Sequence, residues 1–223
     1  MDPLPLIPYH PARQPISNSP QRNLLGTSLV YRNATVYQLL MRGLYGRHYQ
    51  ARFRAIAELI PQGADVVDVC CGPATLYTRY LRGRAGTYIG LDLNSRFIAR
   101  LNDAGGHGTV WNVHSDDPFP EADYLVMQAS MYQFLPEPVP VLDRMLAAAH
   151  KHVIIAEPIR NLASSNNRAV AAIARRYTDA GEGAQSHRFT EQTLDELFGP
   201  YESRILHRSL IAGGREKLFV LAA

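Results

Sequence analysis

The residues in this sequence that could do chemistry are carboxylates and small residues that directly follow short apolar runs. Residues 66–69 (VVDV) form a β-branched run with one carboxylate, and residues 70–74 (CCGPA) form a turn of small residues. A turn without bulky side chains lets backbone N–H groups approach a ligand closely. Because a lone carboxylate is costly to bury in an apolar strand, we expect Asp68 to orient this turn or to meet a cationic group of a ligand.

Further candidates follow the later apolar runs. Asp92 comes 24 residues after Asp68, close to the offset of about 20 residues at which an acidic side chain binds the hydroxyls of a nucleotide ribose. A solvated strand end or a helix cap is the alternative for Asp92. Asp116 or Asp117, with Ser115 or a neighbouring backbone N–H, could bind the exocyclic amine of a purine, or either could only cap the turn at Pro118. Two other runs end on polar residues, Gln128 and Glu157.

The elements that must position these residues alternate between strand and helix, which predicts a parallel sheet with helices on both faces. The predicted strands are residues 66–69, 87–92, 109–114, 123–128 and 153–157. The predicted helices are residues 34–45, 48–60, 94–103, 138–150, 166–178 and 191–198, besides one that follows the 70–74 turn. Two final strand-like runs, 203–212 and 217–223, are separated by four residues and predict an antiparallel hairpin. Ligands of such sheets bind beyond the carboxyl ends of the strands.

Composition narrows the class of function. The chain has 223 residues, of which 46% are apolar, which suits one domain with a cap. The net charge of +3 originates in residues 1–60, which carry seven arginines against two acidic residues. This excess could steer an anionic substrate, but a solvated helix face is the favoured explanation. With no extended basic run and a single tryptophan, a nucleic-acid partner is not expected.

The cysteines and the N-terminal part indicate the compartment. Cys70 and Cys71 are adjacent, so they form neither a disulfide framework nor a metal-ligand pattern, and no metal is expected. No apolar stretch reaches the roughly 18 residues of a membrane span, and the first residues are Pro-rich rather than a signal peptide. We therefore expect a soluble, cytoplasmic protein without a membrane partner. Residues 1–30 are expected to form a Pro-rich arm, which could reach a neighbouring subunit in a homodimer.

Taken in order, the motifs resemble those of class I S-adenosylmethionine-dependent methyltransferases of the small-molecule type. Residues 67–75 (VDVCCGPAT) are similar to the first motif of that family. Leu91-Asp92 is similar to its acidic second strand end, Ser115-Asp116 to its adenine contact, and the terminal hairpin to its reversed last strand. Two family glycines are replaced by Cys70 and Ala74, whose small side chains preserve close approach but reduce backbone freedom.

The resemblance covers residues 30–223 and implies both a fold and a cofactor. The implied fold is α/β, a doubly wound seven-stranded sheet in the order 3-2-1-4-5-7-6 with the last strand antiparallel. One domain, residues 31–223, would carry a helical cap at residues 31–60. The implied cofactor is S-adenosylmethionine, with Asp68 and Gly72 at its methionyl end, Asp92 at its ribose and Asp116 at its adenine. The complete set of predicted cofactor-binding residues is Asp68, Cys70, Gly72, Asp92, Leu93, Ser115, Asp116, Gln128, Tyr31 and Tyr37.

The predicted reaction is methyl transfer to a small molecule, which depends mainly on alignment and desolvation. A general base is needed only if the nucleophile must lose a proton. His187 is the first candidate base, and Glu157 with Asn161 is the second, although a structural role for His187 stays open. The predicted substrate-binding residues are Tyr45, Met131, Tyr132 and Asn161. Tyrosines of the cap, among them Tyr31, Tyr37, Tyr45 and Tyr49, are candidates to face the sulfonium or simply to pack.

Three other classes of function compete with this interpretation. A nicotinamide-dependent dehydrogenase would need the three-glycine fingerprint, of which only Gly72 is present. A cyclase or lyase that acts on S-adenosylmethionine itself, and a non-enzymatic scaffold with a degenerate site, are both compatible with the sequence. Methylation of RNA or protein is less favoured because the sequence has neither an Asn/Asp-Pro-Pro-Tyr motif nor a basic groove.

Overall fold

The structure is a computed structural model that describes residues 42–43, 45–112, 115, 117–159 and 188–223. Its strands are β1 (Val66–Val69), β2 (Tyr88–Asp92), β3 (His107–Val110), β4 (Ala122–Gln128), β5 (Ala149–Pro158), β6 (Ile205–Ile211) and β7 (Glu216–Ala222). Its α-helices are α1 (His48–Glu58), α2 (Ser95–Asp103), α3 (Val139–Ala148) and α4 (Glu191–Phe198). Shorter helical segments lie at Tyr77–Leu81, Met131–Phe134 and Gly199–Arg204.

The strands form one sheet in the order β3-β2-β1-β4-β5-β7-β6. Strands β1 to β5 are parallel, whereas β7 is antiparallel to both of its neighbours, β5 and β6. This confirms the fold class that the resemblance implied. The strand order reverses between β1 and β4, and the crevice at the carboxyl ends of these strands is therefore the expected ligand site.

Two apolar cores cover the two faces of the sheet. Along β1, Val67 and Val69 point to a core that α3 and α4 complete. Val66 points to the opposite core, which α1, α2 and the Tyr77–Leu81 segment complete. Burial on both faces explains why the central strands β1 and β4 are nearly continuous apolar runs.

A buried ion pair fastens α1 to the start of β7. A guanidinium nitrogen of Arg52 lies 2.8 Å from Oε1 of Glu216, and the two side chains are 4% and 0% exposed. The same guanidinium lies over the ring of Tyr45, 4.5 Å from its centroid. Nη1 of Arg215 donates to the backbone oxygen of Tyr45 at 3.1 Å. These contacts fix the chain from residue 45 onward against the antiparallel strand.

The predicted elements agree with the structure most closely at β1 and α4, whose observed bounds are those predicted. The prediction for the third strand is wrong by several residues. The sequence predicts residues 109–114, whereas the strand runs from His107 to Val110. Its length is set by its partner: β2 ends at Asp92, which pairs with Val110. The predicted helix at 34–45, except for residues 42, 43 and 45, lies outside the described residues, as do the predicted helix at 166–178 and the Pro-rich arm. Over the described residues, no helix has the length and apolar character needed to cross a membrane.

Candidate functional site

The turn after β1 has an unusual backbone and one open side. Cys70, Gly72 and Ala74 have φ angles of 59°, 55° and 55°, in the left-handed region that favours glycine. The backbone N–H of Cys71 donates to the backbone oxygen of Leu91 at 3.0 Å, which ties the turn to β2. A Cβ atom added to Gly72 would meet nothing within 4 Å. The turn is therefore held on one side and open to a ligand on the other.

The carboxylate of Asp92 holds this turn from the end of β2. Oδ2 accepts the backbone N–H of Gly72 and Oδ1 accepts the backbone N–H of Asn94, both at 2.8 Å. Burial raises the pKa of Asp92, and the two hydrogen bonds oppose that rise. Since each carboxylate oxygen can accept a further hydrogen bond, Asp92 can still bind vicinal hydroxyls. The next side chain, Leu93, is 67% exposed and offers an apolar surface beside the carboxylate.

Asp68 is the second acid at this turn and is almost fully buried. Its side chain is 4% exposed, and Tyr88 donates its hydroxyl to Oδ2 at 2.5 Å. Burial raises the pKa of Asp68 to about 7, the hydrogen bond from Tyr88 opposes the rise, and the charge of Asp92 adds to it. The β1–β2 register places Gly90 opposite Asp68 and Tyr88 opposite Val66. Within the described part of the chain, neither Asp68 nor Asp92 forms an ion pair with a cationic side chain.

The two cysteines lie among these acids and are not reactive thiols. Burial raises the pKa of Cys70, and the charges of Asp92 and Asp68 raise it further. The same causes raise the pKa of Cys71. Because the thiolate is the nucleophilic form, both cysteines act as small neutral residues that leave space for a ligand.

Glu157 organises the neighbouring end of β4 and β5. Its side chain is 1% exposed, and its Oε2 accepts the backbone N–H of Met131 at 3.0 Å. Burial raises the pKa of Glu157 to about 8, while the N–H of Met131 and the charge of Arg188 lower it. Glu157 therefore positions the Met131–Phe134 segment, which carries the predicted substrate-binding residues Met131 and Tyr132.

Arg188 is a site residue that the sequence reasoning did not identify. Its guanidinium carbon lies 3.3 Å from the centroid of the Tyr132 ring, and Tyr132 itself is 7% exposed. Burial raises the pKa of Tyr132, and the charge of Arg188 opposes that rise. A single arginine in a loop has no periodicity, and its position next to the predicted base His187 was the one signal that could have drawn attention to it.

The structure brings most of the described candidates to one edge of the sheet. The residues that lie at the carboxyl ends of β1, β2, β4 and β5, or within four residues after them, are Asp68, Cys70, Gly72, Asp92, Leu93, Gln128, Met131, Tyr132 and Glu157. Ser115 follows the end of β3 by five residues. Tyr45 packs instead under Arg52 at the contact between α1 and β7. Five candidates lie outside the described residues and stay predictions: Tyr31, Tyr37, Asp116, Asn161 and His187. Among the residues placed by the structure, no group of three or more His, Cys, Asp or Glu could hold a metal ion.

Comparison with known proteins gives one family match. A family model described as methionine biosynthesis protein MetW matches residues 50–171. These residues include Asp68, Asp92, Glu157 and the Met131–Phe134 segment. No curated protein sequence matches the chain.

Solved structures with this fold include several methyltransferases. A chain from the complex of the Haloferax volcanii Trm112 methyltransferase activator with a methyltransferase has a TM-score of 0.61 at 15% identity, over 88% of this chain and 98% of that one. Magnesium protoporphyrin IX methyltransferase from Synechocystis PCC 6803, with bound S-adenosylhomocysteine, has a TM-score of 0.58 at 10% identity, over 86% and 95% of the two chains. The N-methyltransferase NodS from Bradyrhizobium japonicum WM9, also with S-adenosylhomocysteine, has a TM-score of 0.53 at 13% identity, over 79% and 85%. At these identities the likeness establishes a shared class I methyltransferase fold.

Proposed function

Because the chain belongs to the MetW family, and shares the fold of class I methyltransferases, we propose that it transfers a methyl group from S-adenosylmethionine to a small molecule. The observation that carries this proposal is the pair of acids Asp68 and Asp92 at the turn after β1. Both have raised pKa values because of burial. A carboxylate that is desolvated without a cationic partner is costly, so the crevice is suited to a ligand that brings positive charge.

The residues of the turn fit S-adenosylmethionine, which carries a sulfonium, an α-ammonium group and a ribose. Asp92 has free lone pairs for the two ribose hydroxyls, and Asp68 offers negative charge to the methionyl end. Gly72 leaves open space beside the backbone, where a ligand can approach. Leu93 and Ser115 are the described residues proposed to border the adenine.

S-adenosylmethionine, when bound, supplies a methyl group that is already activated by the sulfonium. The contribution of the chain is then alignment and exclusion of water. Glu157 holds Met131 and Tyr132, both nearly fully buried, as a wall next to the crevice. As a base, Glu157 would gain effectiveness as the pH rises toward its pKa of about 8, because only the ionised form accepts a proton. His187 and Asn161 remain proposed partners in that step.

Isothermal titration with S-adenosylhomocysteine tests the cofactor site. We expect the wild type to bind it, and Asp92→Ala to bind about 10- to 100-fold more weakly, because hydrogen bonds to a charged acceptor contribute about 1.5–3 kcal/mol. Asp123→Asn is the control, since Asp123 lies at the opposite end of β4 and pairs with Lys151 at 3.1 Å. Thermal unfolding of each variant verifies that it is folded. A wild type that does not bind S-adenosylhomocysteine would refute the proposal.

Product analysis separates methyl transfer from the other uses of the site. Incubation of the protein with methyl-labelled S-adenosylmethionine and a metabolite extract should give labelled acceptor and unlabelled S-adenosylhomocysteine. Label that stays on a fragment of the cofactor would indicate a cyclase or lyase. Tight binding without any turnover would indicate a scaffold, and either result would contradict methyl transfer.

A further inference from the structure

Among the residues that the structure describes, one cation at the carboxyl edge of the sheet has no acidic ion-pair partner. Arg188, directly before α4, is partly buried, and its guanidinium stacks on the ring of Tyr132. Within the described ranges, from residue 42 to 223 with their gaps, Arg188 forms no ion pair. Among the described residues, its charge is thus left for a ligand.

Glu157 does not neutralise the charge of Arg188. Arg188 is close enough to Glu157 to lower the pKa of that carboxyl, yet burial keeps the pKa at about 8. At neutral pH Glu157 is therefore mostly uncharged. Its Oε2 is in addition occupied by the backbone N–H of Met131.

Two other cations differ from Arg188 because each of them forms an ion pair with an acid. Nζ of Lys217 lies 3.0 Å from Glu191 and 2.8 Å from Asp195, both on α4. Arg52 pairs with Glu216 at the start of β7. These cations stabilise the contacts of α4 and α1 with the sheet, whereas Arg188 stands beside the Met131–Phe134 segment, next to the proposed site.

We infer that Arg188 binds a carboxylate group of the methyl acceptor, an inference that rests on the proposed function. The guanidinium of Arg188 lies over the ring of Tyr132 and also forms a side-chain hydrogen bond with it, which leaves further N–H donors of the five for a ligand. A planar fork of this kind binds a carboxylate with two parallel hydrogen bonds. The acceptor is thus a small organic acid, anchored at Arg188 with its nucleophilic atom directed to the crevice between β1 and β4.

The charges of the site favour a carboxylate over a phosphate. Asp68 and Asp92 lie at the same edge and would repel a doubly charged phosphate more strongly than a singly charged carboxylate. One guanidinium balances one negative charge. A neutral acceptor would leave Arg188 desolvated without a partner.

The test compares small acids with their primary amides. Pairs of aliphatic, hydroxylated and aromatic acids and amides are titrated against the protein saturated with S-adenosylhomocysteine, and binding is followed by ligand-observed NMR. In the wild type we expect at least one acid to bind about tenfold or more tightly than its amide, because a hydrogen bond to a charged group is stronger than one to a neutral group. Arg188→Gln should abolish the difference, and Arg188→Lys, which retains the charge without the fork, should restore part of it.

The controls keep this inference separate from the proposed function. Arg208→Gln removes the same charge from β6, where Arg208 pairs with Glu202, and should preserve the preference for acids. Arg188→Gln should retain its affinity for S-adenosylhomocysteine, which shows that the cofactor site is intact. If no acid in the panel binds more tightly than its amide, or if the preference survives in Arg188→Gln, the inference is overturned even though the cofactor binds. Loss of cofactor binding in the wild type would instead refute the proposed function.

Discussion

Replacing Asp68 with asparagine should change how the stability of the protein depends on pH. The pKa of Asp68 is about 7 in the folded protein, against a model-compound value of 3.8, because the side chain is buried. Between these two values the folded state retains a proton that the unfolded state has lost. Raising the pH through this window therefore destabilises the folded protein by about 1.4 kcal/mol per pH unit. Between pH 5 and pH 7 this amounts to about 2 kcal/mol, because the slope falls to half its value where the pH reaches the folded pKa.

The measurement is urea unfolding of wild type and Asp68→Asn at pH 5, 6, 7 and 8, without cofactor. The free energy of unfolding of the variant minus that of the wild type should rise by about 2 kcal/mol from pH 5 to pH 7 and level off by pH 8. The amide oxygen can still accept the hydroxyl of Tyr88, which donates to Asp68 in the wild type. An unpaired amide N–H could lower the stability of the variant by about 1–3 kcal/mol, but equally at every pH, so the slope and not the level is the test.

Asp123→Asn is the matched control for this experiment. The pKa of Asp123 is lowered, chiefly by its hydrogen bond to Lys151, so Asp123 is ionised in both states above pH 5. The stability difference for this variant should be flat from pH 5 to pH 8. If the difference for Asp68→Asn changes by less than about 1 kcal/mol over the same range, Asp68 is ionised like an ordinary solvated acid. The argument that Asp68 is desolvated without a cationic partner among the described residues would then fail.

Two further predictions concern the turn and the ion pair. Gly72→Ala should lower the stability by about 1–2 kcal/mol because of its positive φ, and should also weaken S-adenosylhomocysteine binding tenfold or more because its methyl group enters the open side of the turn. Gly63→Ala is the control, because Gly63 has φ 80° and equally open surroundings. In the same unfolding and calorimetric assays it should lose stability but keep its affinity for S-adenosylhomocysteine. An equal loss of affinity in both variants would place the crevice elsewhere. Glu216→Gln leaves Arg52 buried without its counter-charge and should cost about 3–5 kcal/mol in urea unfolding. The double variant Arg52→Met with Glu216→Met should recover most of that loss, and a failure to recover it would contradict the assigned pairing.

The elements that the sequence predicts well are those with a complete local signal. Asn94 caps the start of helix α2, because its side chain accepts the backbone N–H of Arg96 at 3.0 Å. Thr190 caps the start of helix α4, because its hydroxyl accepts the backbone N–H of Thr193 at 3.1 Å. Such caps are read from neighbouring residues. Strand β3 has no comparable signal, because the end of β2 decides its length.

The parts of the site that the sequence does not reveal depend on contacts between distant segments. The hydrogen bond from Tyr88 to Asp68 follows from the register of β1 against β2, which no local pattern specifies. The burial of Glu216 depends on Arg52 of α1, 164 positions earlier in the chain. Arg188 lies over the ring of Tyr132, a residue 56 positions earlier in the chain. A motif can therefore place the acids at the sheet edge, but the charge balance of the site requires the fold.

Backbone strain gives an independent reason to place the ligand at this edge. Of the four non-glycine residues with positive φ among those described, Cys70, Ala74 and Ala129 follow β1 or β4, and Ala212 lies in the β6–β7 turn. A left-handed conformation costs a residue with a Cβ about 1–2 kcal/mol, and such strain persists where the surrounding structure enforces it. At Ala129 the backbone N–H donates to Ala156 of β5 at 2.8 Å. Three strained residues thus border the two strands between which the order reverses. Cys70 and Ala74 therefore hold, with a Cβ, the left-handed backbone that glycine adopts most easily.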